Sequence, residues 1–201
     1  MNLPTWLTSI RLFLVVIILG LFFWPHENVG TLTFLGNAIN TVYVIIFIVF
    51  VVASLTDFLD GYLARKLKQI TVLGTFLDSI ADKVLTNATM IALAFPFAWL
   101  PPTQMTIPLL LVIVMVSRDL LMDALRTLAM SKQKVLSANL FGKIKTFMQM
   151  VMIPLVLLNN SPFSFLEPTV NLTLVFIYIT TIMSLVSFGI YVIQNRNIFT
   201  S

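Results

Sequence analysis

Six long stretches of the chain carry few polar side chains, and each is bounded by Pro, Gly, Asn or charged residues. Their periodicity and breaks predict helices near 6–24, 40–65, 75–98, 105–130, 140–159 and 169–193. Pro25, Gly30 and Gly36 close the first stretch, Pro101 and Pro102 the third, and Asn159, Asn160 and Pro162 the fifth. A helix needs about 20 mostly apolar residues to cross a hydrocarbon layer about 30 Å thick, and these runs meet that length. The expected architecture is an all-α integral membrane protein, a six-transmembrane-helix bundle forming a single domain over 1–201.

Composition agrees with the bilayer as solvent. Hydrophobic residues make up 59% and charged residues 10% of the chain, with a mean hydropathy of +1.00. Little is left for a separate soluble domain, so nucleic acid is not an expected partner. The absence of cysteine excludes structural disulfides, Cys-based metal sites and thiol nucleophiles. The single histidine, His26, stands in a polar break beside Glu27 and Asn28, where a solvated loop residue is expected. The first 24 residues lack a small-residue cleavage pattern, which makes them a retained first helix.

Basic residues near helix ends favour the cytoplasmic side. Along a six-span topology, all twelve Lys and Arg residues fall in or toward one compartment. They are Arg11; Arg65, Lys66, Lys68 and Lys83; Arg118, Arg126, Lys132, Lys134, Lys143 and Lys145; and Arg196. The opposite connections carry only His26, Glu27 and Glu167. Both termini are therefore expected in the cytoplasm, beneath a basic face suited to anionic lipid headgroups or a phosphorylated substrate.

Four aspartates interrupt the apolar pattern. Asp57 and Asp60 lie near the cytoplasmic end of the second helix, Asp78 and Asp82 near the same end of the third. Spacings of three and four residues put each pair on one helical face, and the short connection makes the two helices neighbours. Each charged Asp at the centre of a membrane helix costs about 2.5 to 3.5 kcal/mol on insertion scales. A divalent cation would resolve the conflict, and an oxygen-only donor set selects Mg²⁺, Mn²⁺ or Ca²⁺. The alternative is ordinary ion pairing with Arg65, Lys66, Lys68 and Lys83. Gly61, Ala64 and Gly74 beside the acids serve close helix packing, or let a ligand approach the backbone.

Asp57, Asp60, Gly61, Ala64, Arg65, Gly74, Asp78 and Asp82 together spell DxxDGxxAR, eight residues, then GxxxDxxxD. This resembles the signature of the CDP-alcohol phosphotransferases. The opening Asn2-Leu3-Pro4-Thr5-Trp6-Leu7-Thr8-Ser9-Ile10-Arg11 is similar to the family's N-P-N-x-L-T-x-x-R start, with Thr5 where Asn is usual. Arg118-Asp119 with Ala124-Leu125-Arg126, and Gly142-Lys143-Ile144-Lys145-Thr146, resemble segments of its phosphatidylglycerophosphate-forming branch, with Asp119 in place of the usual Glu.

The resemblance implies a six-helix membrane bundle, a homodimer, with a polar cavity open to the cytoplasm. It implies transfer of a phosphatidyl group from CDP-diacylglycerol to sn-glycerol 3-phosphate with release of CMP, on two Mg²⁺ or Mn²⁺ ions. Asp57, Asp60 and Asp78 would hold metal, with Asp82 contributing to the second ion and acting as the base on the acceptor hydroxyl. Donor contacts are implied for Asn2, Pro4, Thr8, Gly61, Ala64, Arg65 and Gly74, although Arg65 could equally cap its helix C-terminus. The acceptor's phosphate needs cations away from the metals. Arg118 and Arg126 lie about two turns apart on the fourth helix, Lys143 and Lys145 open the fifth, and Lys134 and Ser137 stand between. Arg suits a bidentate phosphate clamp; alternatively, Arg118 pairs with Asp119 or Asp123 and the lysines only mark the cytoplasmic side. A different acceptor, inositol phosphate or phosphatidylglycerol, would use the same chemistry. An ion-coupled transporter is the rival class, and it would distribute acids across the membrane depth.

Overall fold

A computed structural model of the chain describes residues 3–24, 29–34, 37–66, 72–97, 99–100, 103–132, 140–166 and 171–196. Within those ranges, the side chains at 3–5, 7, 58–66, 72–73, 75, 162 and 164–165 lie outside the description. Six helices account for most of it: α1 (Leu3–Phe23), α2 (Thr41–Lys66), α3 (Val72–Ala94), α4 (Leu109–Ser131), α5 (Leu140–Leu157) and α6 (Leu172–Gln194). All six fall where the apolar runs place them. The largest boundary shifts are at the end of α3, at Ala94 rather than 98, and at the start of α4, after Pro108 rather than at 105, where a proline cannot donate to the preceding turn.

One element departs from the all-α expectation. Thr31–Phe34 (β1) and Asn37–Asn40 (β2) form an antiparallel hairpin in which Leu32 faces Ile39 and Thr33 faces Ala38. Gly30 and Gly36 mark the segment as a break in the sequence, yet its Thr-Leu-Thr-Phe alternation suits a short strand. Asn40 then caps α2, its Oδ1 accepting the Val42 N–H at 2.8 Å. Asn171 caps α6 in the same way, accepting from Leu174 N at 3.0 Å.

By length and composition, α5 and α6 can each cross a membrane, and shorter apolar stretches run over Thr8–Phe23 and Thr41–Asp57. The outward faces carry large apolar side chains, among them Phe13, Phe23, Ile48, Leu110, Phe147 and Ile193. Exposed apolar side chains in this number suit lipid better than water.

The interior divides along the helix axes. One half is packed with Ile18, Phe22, Tyr43, Ile46, Leu93 and Val156, all fully buried, and Phe22 stands edge-on to Tyr43 with ring centroids 5.6 Å apart. Beyond this core, amides join three connections. Asn159 accepts the Met105 N–H on Oδ1 at 2.8 Å and donates from Nδ2 to the Ala38 carbonyl at 3.3 Å. Its own carbonyl accepts from Asn37 Nδ2 at 3.0 Å, and Asn160 Oδ1 accepts from Thr173 N and Oγ1. Asn159 and Asn160 hold φ of 53° and 58°, a region Asn tolerates better than other non-glycine residues. The opposite half of the interior holds the charges.

Asn159→Ala removes two side-chain hydrogen bonds and puts a Cβ-bearing residue without a compensating amide at positive φ. The expected loss is roughly 2 kcal/mol, and Asn159→Gly should lose about 1 kcal/mol less because it accepts that backbone. Thermal unfolding in detergent ranks the three proteins, and equal midpoints would refute the clasp.

Candidate functional site

The charged half is organised by a residue from the first helix. Arg11 is the only charged residue between Leu3 and Phe23 and is completely buried. A guanidinium inside an apolar bundle must find anions. Its Nη1 lies 2.5 Å from Asp57 Oδ1 on α2 and 3.0 Å from Asp78 Oδ1 on α3. One nitrogen thus joins three helices. Asp82 lies one turn beyond Asp78 on the same face of α3, and its Oδ1 is buried without a hydrogen-bond partner among the described residues.

Asp57 and Asp82 line one wall of a cavity of about 830 Å³. The other walls come from α4, α5 and α6, with Arg118, Asp119, Asp123, Arg126, Lys143 and Lys145 prominent among them. Arg118 is held by three acceptors: the Ser184 carbonyl at 3.1 Å, Ser187 Oγ at 2.8 Å and Asp119 Oδ1 at 3.0 Å. Lys145 Nζ donates to both Asp119 oxygens at 2.6 Å. Lys83 on α3 pairs with Asp123 on α4. Arg126 and Lys143 stay exposed on the cavity wall.

Three of the four expected acids therefore reach one region: Asp57 and Asp78 through Arg11, and Asp57 and Asp82 through the shared cavity. The side chain of Asp60 lies outside the described residues. Among the described residues, no group of three or more His, Cys, Asp or Glu side chains stands ready to enclose an ion. The donor chemistry nonetheless fits a hard divalent cation. The acids offer only oxygen, and Asp82, which lines the cavity, has a buried carboxylate oxygen without a partner among the described residues.

Thr8 is buried on α1, one turn before Arg11, and Gly74 is partly buried in the first turn of α3 rather than preceding it. Gly61, Ala64 and Arg65 occupy the last turns of α2 and Pro4 the first turn of α1, with their side chains outside the description. Asn2, Lys134 and Ser137 lie outside the described residues altogether. Of the expected cations, Arg118, Arg126, Lys143 and Lys145 share the cavity. Arg118 also makes the pairing with Asp119 that was its alternative reading. Lys145, expected as a cation opening α5, is buried and ion-paired.

Sequence reasoning did not name Arg11 as a site residue, counting it toward the cytoplasmic charge and the opening motif alone. The signal was present, since a lone charge in an apolar 21-residue helix calls for a partner inside the bundle. It also missed the pairing of Lys83 with Asp123, which joins residues on different helices and leaves no local spacing to read.

The sequence pattern of the CDP-alcohol phosphatidyltransferase family matches residues 1–189. The chain is 39% identical to the CDP-diacylglycerol--glycerol-3-phosphate 3-phosphatidyltransferase of Mycoplasma pneumoniae, over 96% of this chain and 87% of that protein. It is 37% identical to the Bacillus subtilis protein of the same name, over 81% of this chain and 79% of the relative. With the Haemophilus influenzae protein of that name, identity is 34% over 75% and 72% of the two chains.

Replacing Arg11 tests the ionic centre. Arg11→Ala leaves Asp57 and Asp78 facing each other without their shared cation, at an expected cost of roughly 2 kcal/mol. That is below the 3–5 kcal/mol for a fully buried pair because both acids are partly exposed. Arg11→Lys keeps the charge but not the fork and should fall between. Unchanged thermal midpoints in both variants would show that the bridge does not hold the helices.

Proposed function

The chain belongs to the CDP-alcohol phosphatidyltransferase family, and on that premise we propose that it transfers the phosphatidyl group of CDP-diacylglycerol to sn-glycerol 3-phosphate, forming phosphatidylglycerophosphate and CMP. The observation that carries this reading is one cavity with an acidic wall, Asp57 and Asp82, facing a basic wall of Arg118, Arg126, Lys143 and Lys145. Two anionic substrates with different needs fit such a space. The donor's pyrophosphate calls for carboxylate-held cations, and the acceptor's phosphate calls for Arg and Lys. The names carried by the relatives supply the particular donor and acceptor.

The family is generally dependent on a divalent metal. Asp57, Asp60, Asp78 and Asp82 are the residues that would hold two Mg²⁺ or Mn²⁺ ions. When bound, such ions supply charge neutralisation on the attacking and leaving oxygens of an in-line displacement at phosphorus. The chain's own groups do the rest. Asp82 accepts the proton of the acceptor hydroxyl as its oxygen bonds to the phosphatidyl phosphorus. The bond from that phosphorus to the CMP oxygen breaks, and CMP leaves with the bonding pair. Arg118, Arg126, Lys143 and Lys145, with Lys134 and Ser137, bind the acceptor's phosphate and aim its hydroxyl. Thr8, Gly61, Ala64, Arg65 and Gly74, with Asn2 and Pro4, border the donor's head group.

The same reading makes the chain a six-span protein of the cytoplasmic membrane, with the cavity and both termini facing the cytoplasm. Support comes from six helices, their exposed apolar side chains, and the placement of Lys and Arg along the sequence at connections of one sidedness. The donor's acyl chains remain in the bilayer while its head enters the cavity. Homodimerisation enters through the family resemblance.

Purified protein with Mg²⁺ and CDP-diacylglycerol should release CMP with glycerol 3-phosphate and not with inositol phosphate or phosphatidylglycerol; release with either of those reassigns the acceptor. A chelator should abolish turnover, and Mg²⁺ or Mn²⁺ should restore it. Asp82→Asn should keep its thermal midpoint and donor binding while kcat falls by about 100-fold or more. Normal turnover in that variant refutes the base assignment.

A further inference from the structure

Asp119 follows Arg118 on α4 and lies inside the bundle, only 7% exposed, with Arg118 equally buried and Lys145 at 4%. Both its oxygens receive Lys145 Nζ at 2.6 Å, and Oδ1 also receives Arg118 Nη1 at 3.0 Å. The carboxylate thus brings two cations from different helices to one point of the cavity wall. Side by side and alone, they would repel each other; with the carboxylate between them they form a compact group of net single positive charge.

Counting donors separates this arrangement from a closed structural knot. A guanidinium has five N–H groups and an ammonium three. Arg118 uses one each on Nε, Nη1 and Nη2, toward Ser184, Asp119 and Ser187, and Lys145 uses two on Asp119. Two N–H groups on Arg118 and one on Lys145 are left without a partner among the described residues. A pair that only tied α4 to α5 would not need Arg118 anchored against α6 as well.

We propose that Asp119 is a positioning residue for the acceptor's phosphate: it holds Lys145 and Arg118 together at the cavity wall so that their remaining donors meet one phosphate monoester. The inference rests on the functional reading above and deepens it, by naming what makes the basic wall a site for a phosphorylated alcohol rather than a neutral one. Asp119 touches neither substrate; it acts through the two cations it orients. Among the described residues, Asp119 bonds to Arg118 and Lys145 and to neither Asp57 nor Asp82 at the acidic wall.

The test is a split in kinetic constants. Asp119→Asn keeps the shape but removes the charge that holds the cations together. The KM for glycerol 3-phosphate should rise about tenfold, with the KM for CDP-diacylglycerol within about twofold and kcat within about threefold of wild type. Asp119→Glu should restore most of the acceptor KM. An acceptor KM within about twofold of wild type in Asp119→Asn, or a parallel rise in both KM values, overturns the proposal. If Asp119→Asn fails to fold, Lys145→Gln and the double variant D119N/K145Q carry the same test without a buried unpaired ammonium. Both should show the acceptor-specific rise, and wild-type acceptor KM in both refutes it. Failure of the functional reading would appear separately, as wild-type protein that releases no CMP with glycerol 3-phosphate. Calorimetric binding of inorganic phosphate then decides: the clamp predicts about tenfold weaker binding in Asp119→Asn, and equal affinity ends it.

Discussion

A single guanidinium nitrogen that lies 2.5 Å from one carboxylate and 3.0 Å from another sets the terms for the rest of the molecule. Arg11 could not be buried in a lipid-facing bundle without anions, and Asp57 and Asp78 could not approach each other without a cation. Each solves the other's problem, and the solution exists only if α1, α2 and α3 come together at one depth. Hydrophobic packing alone would not select that register, because in lipid an apolar helix face gains little by meeting another apolar face. Charge compensation does select it. It then leaves Asp82, one turn along, as a carboxylate oxygen without a described partner beside the cavity.

The two ends of the bundle are held by different means. At one end, neutral amides close the connections: Asn159 links the hairpin to the segment before α4, and Asn160 links the turn after α5 to the start of α6. At the other, ion pairs hold α1 to α2 and α3, α3 to α4, and α4 to α5. A neutral end can be tight and need not respond to ligands. An ionic end can exchange partners with charged substrates, since a phosphate can compete for Arg or Lys and a cation can compete for Asp. The chemistry belongs where the fold's own interactions are of the kind substrates can replace.

The helices were legible in the sequence because apolar runs of bilayer length, closed by Pro, Gly and Asn, admit few other structures. That Asp57, Asp78 and Asp82 come from neighbouring helices was legible too, being a matter of counting along α2 and α3. What was not legible depends on contacts between residues far apart in the chain. Asp57 meets Arg11 from the first helix, a partner distant along the chain that no local spacing suggests. The Arg118–Asp119 pair was open to reading because the two are adjacent, whereas the Lys145–Asp119 pair was not, because position near the start of α5 says nothing about which carboxylate α4 presents to it. The hairpin was lost for a local reason: its strands are four residues each, too short to outweigh the glycines on either side.

The distribution of paired and unpaired charge in the cavity bears on turnover. If every cation on the basic wall were free, an acceptor phosphate would meet a field strong enough to hold substrate and product alike, and binding that does not strengthen in the transition state adds nothing to rate. Asp119 and Asp123 temper that field. They pair with Arg118, Lys145 and Lys83, leaving Arg126 and Lys143 as the exposed cations of the described wall. Interior, carboxylate-anchored cations give direction, and exposed ones give attraction that salt can screen. Under the proposed function, this division would draw a phosphorylated acceptor in by the outer pair, orient it by the inner pair, and present its hydroxyl to the acidic wall. Two anions can then be brought together in one cavity, because the carboxylates that would repel them are already bound to the residues that receive them.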